Sequence, residues 1–467
     1  MRKPIQYEMP KYVELPGVLP PIINREWRGV NTFDPMSIGD NFFTDMSNFT
    51  TADYPAVSVR PGYSVIGNAG AKVLGLGVWK DTELHAVFDD GTWRKWDGAS
   101  WVTLKSGLDP SAMWSFTSFE GNFGGINLIG ANGVNGLHRY DGSTVQTFGD
   151  APSNIDYVTT YQNRIWGAFG SEIRACKLDD ATSWNSFPGT EEDSYGKQME
   201  STRGENINML SGGLTKLTIG MPNSLHELYG GTPSEFTLMR ITEDYGVMNN
   251  QSVSTLAGSM RLIHPTGLYE WQGGTIPSKS FSDIVGGYQH NISGQTASGA
   301  DGTMQYFALS DKILEYDARP NITAWNVWKG MQPSCFVLFK NELYMGDHSG
   351  RVIKLGGQDD AGVPISGYLI SKPFTSPSIA QRQRWLNMYA VWELAAGSTL
   401  TVSLSSTVGG NDWEAVESIT GTGLSMERII IPVRKFVLEN TVRVRFDIVG
   451  WGRMHEFTRQ VRLLPLR

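Results

Sequence analysis

The middle of this chain contains seven short sequence repeats, and each repeat ends in a similar four-residue stretch. Successive copies begin 38 to 50 residues apart, with a mean spacing of about 43. That period is typical of a β-propeller, in which each repeat forms one four-stranded antiparallel blade. The seven copies are KWDG (95–98), RYDG (139–142), KLDD (177–180), ELYG (227–230), EWQG (270–273), EYDA (315–318) and KLGG (354–357).

Each repeat also contains a hairpin signal. In the first repeat the apolar run LHAVF (84–88) is followed by a DDG turn (89–91) and then by TWRKW (92–96). Glycine supplies the positive φ that such turns need, so two paired strands are expected. Successive side chains of a strand point to opposite faces of the sheet, which places the aromatic residues of each repeat on one face. There they are expected to stack against the next blade. We predict a propeller of about seven blades over residues 71–358, with a strand at 63–66 that closes the ring.

The pattern changes after the seventh ending. Residues 358–362 form a linker-like break, and residues 363–467 contain longer alternating strands separated by glycine-rich turns. This organisation is typical of an antiparallel β-sandwich or jelly roll. Helix is scarce throughout, and the best helical segment is a short turn at 378–382. Strands are predicted at 366–371, 385–393, 398–405, 427–431, 442–449 and 455–464.

Residues 1–70 form a third part, an extended arm followed by the segment that leads into the propeller. Pro16, Pro20 and Pro21 favour an extended path over a helix,. Two interpretations stay open for the arm, contact with a neighbouring subunit and simple disorder. The N-terminus has no apolar run typical of a signal peptide, and no stretch is long enough for a membrane span. We therefore expect a soluble protein that is not exported by the usual signal.

The chain is acidic, with 39 basic and 47 acidic residues, a net charge of −8 and a pI near 5.5. No basic run is present that would neutralise many phosphates, which argues against tight, sequence-specific binding of nucleic acid. An acidic surface can still line a conduit for DNA, because like charges prevent sticking. Charged residues make up only 18% of the chain, below the usual level of about 25%, which suits a surface covered by partners.

The ionisable residues form no recognisable catalytic, cofactor or metal motif. Cys176 and Cys335 are the only cysteines and are predicted to be reduced core thiols,. The histidines lack the spacing of a zinc site, and the acidic pairs lack that of a calcium loop, so structural and turn-capping roles are expected. The chain is therefore predicted not to be an enzyme, with no catalytic, cofactor-binding or metal-binding residue. The residues weighed are His85, His138, His226, His264, His290, His348 and His455, the acidic pairs at 89–90, 179–180 and 359–360, and the acidic run 191–193.

The residues alone leave two specific functions open, binding of a carbohydrate or receptor and cleavage of a glycan. A carbohydrate- or receptor-binding propeller would expose aromatic side chains at loop tips, and Trp184 and Trp413 are the best-placed residues for this. A glycan-cleaving enzyme would need two carboxylates across a sugar-sized gap. The DDGTW sequence (89–93) is similar to a shortened Asp-box of sialidase propellers, but it occurs once, and that motif is structural in those enzymes.

Residues 25–67 resemble the opening of a broad group of bacteriophage virion proteins. Their pattern runs from an aromatic residue and Gly-x-Asn, through Asp-Pro and an asparagine-containing stretch, to an Arg-Pro-Gly before the first blade. The C-terminal part is similar to the same group at SKPF (371–374) and QRQRW (381–385). The matching N-terminal residues here are Trp27, Gly29-Val30-Asn31, Asp34-Pro35, Ser47-Asn48-Phe49, Tyr54-Pro55-Ala56 and Arg60-Pro61-Gly62.

The resemblance implies a structural role in the phage tail or its connector end, as in the nozzle and hub propellers of short-tailed phages. Such proteins form symmetric rings around the DNA channel and join the connector to fibres or tip proteins. The implied partners are other copies in a cyclic homo-oligomer, for which sixfold symmetry would suit a tail tube, together with connector or adaptor proteins and other tail or fibre proteins. DNA would pass through the lumen without specific contacts, and no membrane is involved. The implied location is the virion tail, after synthesis in the host cytoplasm.

The Arg-Pro-Gly also has a physical interpretation. Proline fixes φ and glycine permits the turn that redirects the chain into the first strand of the ring. The Arg60 guanidinium either braces a nearby carbonyl or carboxylate or contacts another subunit.

Overall fold

The computed structural model describes residues 17–67, 70–148, 150–375 and 382–464. The fold is a β-propeller joined to an antiparallel β-sandwich, as the repeat spacing predicts. The predicted N-terminal arm falls mainly on residues 1–16, which lie outside the described residues. Five short strands precede the first repeat: β1 (Ile22–Asn24), β2 (Phe43–Ser47), β3 (Phe49–Thr50), β4 (Val57–Val59) and β5 (Tyr63–Val65).

Seven antiparallel sheets follow, one for each repeat. Within each sheet the strands are paired in chain order from the innermost to the outermost, and the fifth sheet has three strands of its own. Blade one comprises β6 (Val73–Trp79), β7 (Glu83–Phe88), β8 (Thr92–Trp96) and β9 (Trp101–Lys105); blade two comprises β10 (Ser115–Phe119), β11 (Asn127–Ala131), β12 (His138–Tyr140) and β13 (Val145–Thr147). Blade three comprises β14 (Tyr157–Tyr161), β15 (Arg164–Phe169), β16 (Glu172–Ala175) and β17 (Tyr195–Gln198); blade four comprises β18 (Met209–Gly212), β19 (Leu217–Gly220), β20 (Leu225–Tyr229) and β21 (Thr237–Thr242). Blade five comprises β22 (Val253–Leu256), β23 (Ser259–His264) and β24 (Gly267–Trp271); blade six comprises β25 (Ala297–Ala300), β26 (Met304–Ala308), β27 (Ile313–Asp317) and β28 (Ala324–Trp328); blade seven comprises β29 (Pro333–Phe339), β30 (Glu342–Asp347) and β31 (Val352–Leu355).

The seven sheets form a closed ring. Most neighbouring innermost strands contact one another in sequence, and β29 of the last blade contacts β6 of the first. Between the fourth and fifth blades, β18 contacts the 3-10 turn at Asn250–Ser252, and Met209 and Leu262 share one apolar cluster. The last blade gains its outer strand from the start of the chain, because β5 pairs antiparallel with β31, with Val65 opposite Ile353 and Tyr63 opposite Leu355. The predicted closing strand at 63–66 is therefore confirmed. Two short strands, β32 (Asp359–Asp360) and β33 (Val363–Pro364), extend this sheet.

The hairpin turns depend on glycine where the sequence places it. Gly91, between β7 and β8, has φ +73°, a conformation that side-chain-bearing residues rarely adopt,. A Cβ at this position would lie 2.6 Å from the Leu108 carbonyl oxygen, so the turn also needs the space that glycine leaves. The turn aligns Val87 with Trp93 and lets both side chains enter the core between the first two blades.

In several blades, the first residue of the repeated ending forms an ion pair with a side chain that lies in the preceding strand or just before it. Lys95 pairs with Glu83 at 3.1 Å in the first blade. In the fifth blade the signs are exchanged, and Glu270 lies directly opposite its partner Arg261. The residue can therefore be acidic or basic, provided that its partner carries the opposite charge.

The aromatic position of the ending packs between blades. The Tyr140 ring meets the Trp79 ring of the first blade edge-on at 5.5 Å. The Arg261 guanidinium lies 4.8 Å from the centre of the Tyr316 ring in the next blade. The predicted stacking of aromatic residues against neighbouring blades is thus confirmed at these positions, and it adds to the apolar burial that holds the ring together.

The sandwich is built from both ends of the chain. One sheet has the order β3-β4-β41-β36-β39, with β1 also on β41, and the other has the order β2-β34-β40-β37-β38, with β35 also on β40. The sequence analysis assigned residues 1–70 to a separate arm and lead-in, whereas β1 to β4 complete these two sheets. The C-terminal strands are β34 (Ser366–Ser371), β35 (Phe374–Thr375), β36 (Gln383–Leu394), β37 (Thr399–Ser405), β38 (Glu414–Thr420), β39 (Gly423–Ile430), β40 (Thr441–Val449) and β41 (Gly452–Leu463).

Three features of the secondary structure differ from expectation or cannot be compared with it. Strand β38 was not predicted, because its charged and polar residues alternate with only three apolar ones. A 3-10 segment at Ser280–Tyr288, after the fifth blade, was not predicted either. The predicted helical turn at 378–382 lies almost entirely outside the described residues.

The sandwich packs on the sixth blade. Strands β2 and β3 contact β28, the outermost strand of that blade. Trp325 and Val327 from β28 share one continuous apolar core with Phe43 from β2 and Trp392 from the sandwich interior. Burial of aromatic and aliphatic side chains on both sides joins the two parts through a common core.

Candidate interaction surfaces

The Arg-Pro-Gly sequence lies at the joint between propeller and sandwich. Arg60 is fully buried, and its two terminal nitrogens donate to Asp360 at 2.8 and 2.7 Å. One of them also donates to the Pro61 carbonyl at 3.0 Å. A bidentate guanidinium–carboxylate pair fixes orientation as well as distance. The prediction that Arg60 braces a carboxylate or carbonyl is confirmed, and no part of its side chain is left to form a surface contact.

The aromatic and Gly-x-Asn residues lie at the same joint. The Trp27 ring is buried and stacks on Phe43 at 5.1 Å. Gly29 has φ +71°, and a Cβ there would lie 2.0 Å from the Trp325 carbonyl oxygen. Val30 N donates to that same carbonyl at 2.7 Å, so the N-terminal segment runs against the edge of the sixth blade. Several residues that carry the phage resemblance therefore lie at the contact between the two parts of the molecule.

A buried polar cluster lies under this segment. Asn326 Nδ2 donates to Glu315 Oε2 at 2.9 Å and to Thr51 Oγ1 at 3.0 Å. Thr51 Oγ1 donates in turn to Asp317, which also binds the Arg319 guanidinium. Burial, with the nearby Asp317 and Asp301 carboxylates as smaller contributions, raises the pKa of Glu315 to about 8. Glu315 occupies the first position of the ending in the sixth blade, and Tyr306 lies opposite it on the adjacent strand, so it lacks the directly opposed cation that Glu270 has in Arg261,.

The central channel of the propeller is obstructed by a 3-10 turn at Asn250–Ser252. Asn250 accepts from Leu210 N at 3.1 Å, Gln251 Nε2 donates to the Trp114 carbonyl at 3.2 Å, and Ser252 bonds to Thr296 Oγ1 at 2.6 Å. These contacts reach blades two, four and six, and the turn also touches β29 of blade seven. A single propeller therefore offers no open path along its own axis.

A wide cleft of about 620 Å³ lies on the opposite face of blades two, three and four. Its walls include the ends of β10 and β14 and the turn after β18. The charged side chains that line it, Glu120 and Asp179, are both acidic and exposed. Leu214 stands at its rim and is 99% exposed. An acidic cleft with an unburied leucine at its rim favours a partner that is basic and partly apolar.

A second groove, of about 420 Å³, lies between the outer strands of blades three and four. Tyr195, Phe236 and Arg240 form part of its lining. His226 lies at its floor, where burial and the nearby Arg240 lower the pKa of the imidazole to about 4. His226 Nε2 is engaged with Ser224 Oγ at 3.1 Å, and both side chains are buried.

The other histidines of the blades are also at least partly buried in the fold. His85 is buried and accepts from Trp93 Nε1 at 3.1 Å, and burial lowers the pKa of the imidazole to about 4. Burial also lowers the pKa of His138, His264 and His348. Each lies in a different blade, so the structure does not bring them together.

The acidic pairs mostly cap turns. Asp90 accepts from Thr92 N at 3.1 Å, Asp180 from Thr182 N at 3.1 Å, and Asp359 from Gly362 N at 2.6 Å. Asp193, at the end of the acidic run, accepts from Gly189 N at 2.6 Å. The turn-capping interpretation is therefore confirmed for these residues. Among the described residues, no group of three or more His, Cys, Asp or Glu side chains is arranged to hold a metal ion.

Both cysteines are free thiols inside blades, as predicted from their strand positions. Burial raises the pKa of Cys176 to about 12 and that of Cys335 to about 11. A thiol that remains protonated and shielded is a weak nucleophile.

The two tryptophans considered for sugar stacking are not presented at loop tips. Trp184 is fully buried, and its Nε1 donates to the Ala181 carbonyl at 2.8 Å. Trp413 is half-buried, with the Arg443 guanidinium 4.8 Å from its ring centre. Neither offers an open aromatic face to a carbohydrate.

In the part of the chain that the structure describes, no helix has the length and apolar character required to cross a membrane. No family model and no curated protein sequence matches the chain.

Several solved propellers are similar in fold. BamB from Moraxella catarrhalis is 11% identical over 65% of this chain and 88% of its own, with a TM-score of 0.42. YCF48 from Cyanidioschyzon merolae is 9% identical over 63% of this chain and 98% of its own, with a TM-score of 0.42. The WD40 propeller domain of Doa1 is 10% identical over 63% of this chain and 96% of its own, with a TM-score of 0.39. At these identities the likeness concerns the fold alone, which the strand pairing defines independently.

Proposed function

We propose that this chain is a structural component of a bacteriophage virion that forms a ring in the tail or tail–connector region around the DNA channel. The observation that carries the proposal is the joint between propeller and sandwich. Four of the residues that resemble the phage group, Trp27, Gly29, Asn48 and Arg60, are buried there and tie the N-terminal segment to both parts. Residues that join the propeller to the sandwich in this way make the molecule a single two-part building block, which suits an assembly protein.

Three further features support an assembly role over catalysis. The ionisable residues examined in the blades are engaged in turns, ion pairs or burial. The 3-10 turn at Asn250–Ser252 obstructs the propeller axis, so passage of DNA would take place between subunits. The net charge of −8 allows a lumen wall that does not hold DNA tightly,. The neighbours would be copies of this chain, connector or adaptor proteins, and other tail or fibre proteins.

Antibody labelling of intact particles tests the proposal. Gold-conjugated antibody against this chain is expected to decorate the tail or the tail–connector region of negatively stained virions, with antibody against the major capsid protein as the matched control. Particles whose capsids are labelled while their tails carry no gold would refute the proposal. Phage with a nonsense codon in this gene should yield filled or leaking heads that lack a complete tail.

A further inference from the structure

Charge is distributed unevenly between the two parts of the molecule. Residues 363–467 contain 12 basic and eight acidic side chains, whereas residues 71–358 contain 21 basic and 30 acidic ones. Residues 363–467, the C-terminal part of the sandwich, are therefore net positive and the propeller is net negative. Opposite charges on two parts of one rigid molecule favour association between copies in a head-to-tail manner.

Part of the positive charge lies on the outward face of one sandwich sheet, the basic face, with Arg384 and Arg462 at one end and Arg428 opposite Val391, seven residues from Arg384 along β36. Arg384 on β36 lies directly opposite Arg462 on β41 in the strand register. Arg428 lies on β39, with its guanidinium 5.3 Å from the centre of the Tyr389 ring. Like charges at directly opposed positions destabilise a sheet unless an anion lies between them. This arrangement indicates a surface that an acidic partner would stabilise.

Nearby carboxylates are already engaged elsewhere. Glu456 on β41 pairs with Arg25 at 2.7 Å, and Glu393 on β36 lies 3.5 Å from Arg453. Within the described ranges, none of the three arginines of the basic face forms an ion pair. Their charge therefore remains available to a second molecule.

The basic face adjoins exposed apolar side chains on an open sheet edge. Met426 and Ile430, on β39, are 67% and 58% exposed. In the described sheet β39 pairs with β36 on one side only. Exposed sheet edges with apolar side chains favour association, because burial and strand contacts both become available. Arg428 and these two apolar side chains thus lie on the same edge strand.

This edge and the acidic cleft lie at opposite ends of the molecule. In the sheet order, β3 contacts the sixth blade, whereas β39 is at the far edge. The cleft with Glu120, Asp179 and Leu214 belongs to blades two to four. Blades two and three are each three positions from the sixth blade around a seven-blade ring, which is the greatest separation available.

We infer that the basic face of one copy docks against the acidic cleft of the next copy of this chain. The contact pairs Arg384, Arg428 and Arg462 with Glu120 and Asp179, and it covers Leu214 together with the apolar edge of β39. Because the two surfaces differ, the contact is heterologous, and its repetition produces a ring when the rotation closes. The inference deepens the proposed function by naming the surfaces through which the ring would form.

Charge exchange on purified full-length protein tests this pairing. Self-association is measured by sedimentation velocity over a concentration series, at about 50 mM and about 500 mM salt, which span weak and strong screening. One variant carries Arg384→Glu and Arg428→Glu, and another carries Glu120→Lys and Asp179→Lys. The matched control carries Arg203→Glu and Lys105→Glu, two cations outside both surfaces. Circular dichroism and the unfolding midpoint of each variant confirm that it folds.

The wild type and the control are expected to associate at low salt and to dissociate at high salt. Each test variant alone should associate at least about tenfold more weakly, because like charges then meet. An equimolar mixture of the two variants should recover association, since the exchanged charges are complementary again. A wild type that is monomeric at low salt, or a mixture that does not recover, would overturn the inference.

Nucleic acid is the competing partner for the basic face. A short DNA duplex bound by the wild type at low salt, and released by the double substitution Arg384→Glu and Arg428→Glu, would also overturn the inference. Failure here is distinguishable from failure of the proposed function. If the purified protein is monomeric but antibody against it still labels virion tails, the assembly role stands and only this interface is excluded.

Discussion

Asn48 and Arg60 bind each other at the joint between sandwich and propeller. Arg60 Nε donates to Asn48 Oδ1 at 3.0 Å, and Arg60 N donates to the Asn48 carbonyl, also at 3.0 Å. The same Oδ1 accepts from Lys329 N at 2.8 Å, while Asn48 Nδ2 donates to the Ser366 carbonyl at 2.8 Å. One asparagine side chain therefore connects the N-terminal segment, the end of the sixth blade and the first strand of the C-terminal sandwich.

Replacing Asn48 by alanine is expected to lower the free energy of unfolding by about 3 kcal/mol, because three hydrogen bonds are lost and Arg60 keeps a buried, unpaired N–H. Asn48 also has φ +60°, which alanine tolerates poorly,. Asn291→Ala is the control, since Asn291 has φ +51° but is exposed. Urea unfolding followed by tryptophan fluorescence compares the two variants. Equal shifts would mean that backbone strain alone explains the effect.

Gly29→Ala is expected to disrupt the joint more severely than an ordinary glycine substitution. The new Cβ would lie 2.0 Å from the Trp325 carbonyl oxygen, so the N-terminal segment has to move away from the sixth blade. We expect a loss of about 3 kcal/mol or more. Gly274→Ala, at φ +67° with open space around it, should cost only about 1 kcal/mol,. A thermal unfolding midpoint for Gly29→Ala that matches Gly274→Ala would show that the contact carries little energy.

Glu315 is expected to make stability fall as pH rises. The pKa of the buried carboxyl is raised to about 8, above its usual value of 4.5. Between these values the folded protein holds a proton that the unfolded chain releases, so stability decreases by about 1.4 kcal/mol per pH unit until the folded pKa is passed. Glu315→Gln should remove this component. Its unfolding midpoint relative to wild type should therefore be higher at pH 8 than at pH 5.

The control for this measurement is Glu270→Gln, at the same position of the preceding blade. Glu270 is paired with Arg261, so its neutralisation leaves a cation without its partner and should destabilise the protein at both pH values,. If Glu315→Gln behaves like Glu270→Gln, the Glu315 carboxyl is ionised in the native protein.

The two thiols are expected to resist modification in the native state. Cys176 and Cys335 are buried, and their raised pKa values keep them protonated at neutral pH. Ellman's reagent should therefore release almost no thionitrobenzoate from the folded protein and two equivalents per chain in denaturant. Rapid reaction of one thiol without denaturant would indicate local opening of its blade.

The propeller was predictable because its signals are local and repeated. Each hairpin is encoded within about 15 residues, and the ending that contains Lys95 or Glu270 marks the third strand of a blade. The closing strand near Tyr63 followed from the need to complete the last sheet. The ion pairs that explain the change of sign at the ending were not anticipated, because the partner lies on another strand and its charge changes with it.

The organisation of the N-terminal part could not be deduced in the same way. Strands β2 to β4 are only two to five residues long, and the C-terminal partners of β2 and β4 lie some 300 to 400 residues later in the sequence. No local period identifies such pairs. The same limit applies to the acidic cleft, whose Glu120, Asp179 and Leu214 come from three blades. The obstruction of the channel by Asn250–Ser252 also depends on contacts with distant blades.

The position of β41 has a consequence for synthesis. This strand, Gly452–Leu463, lies between β4 and β36 in the interior of its sheet, so the sheet is incomplete until this strand is present. A nascent polypeptide therefore cannot complete the sandwich before this strand has been synthesised. A product truncated before Gly452 would expose the sandwich interior and be open to proteolysis. The architecture thereby favours copies of the chain that include this strand.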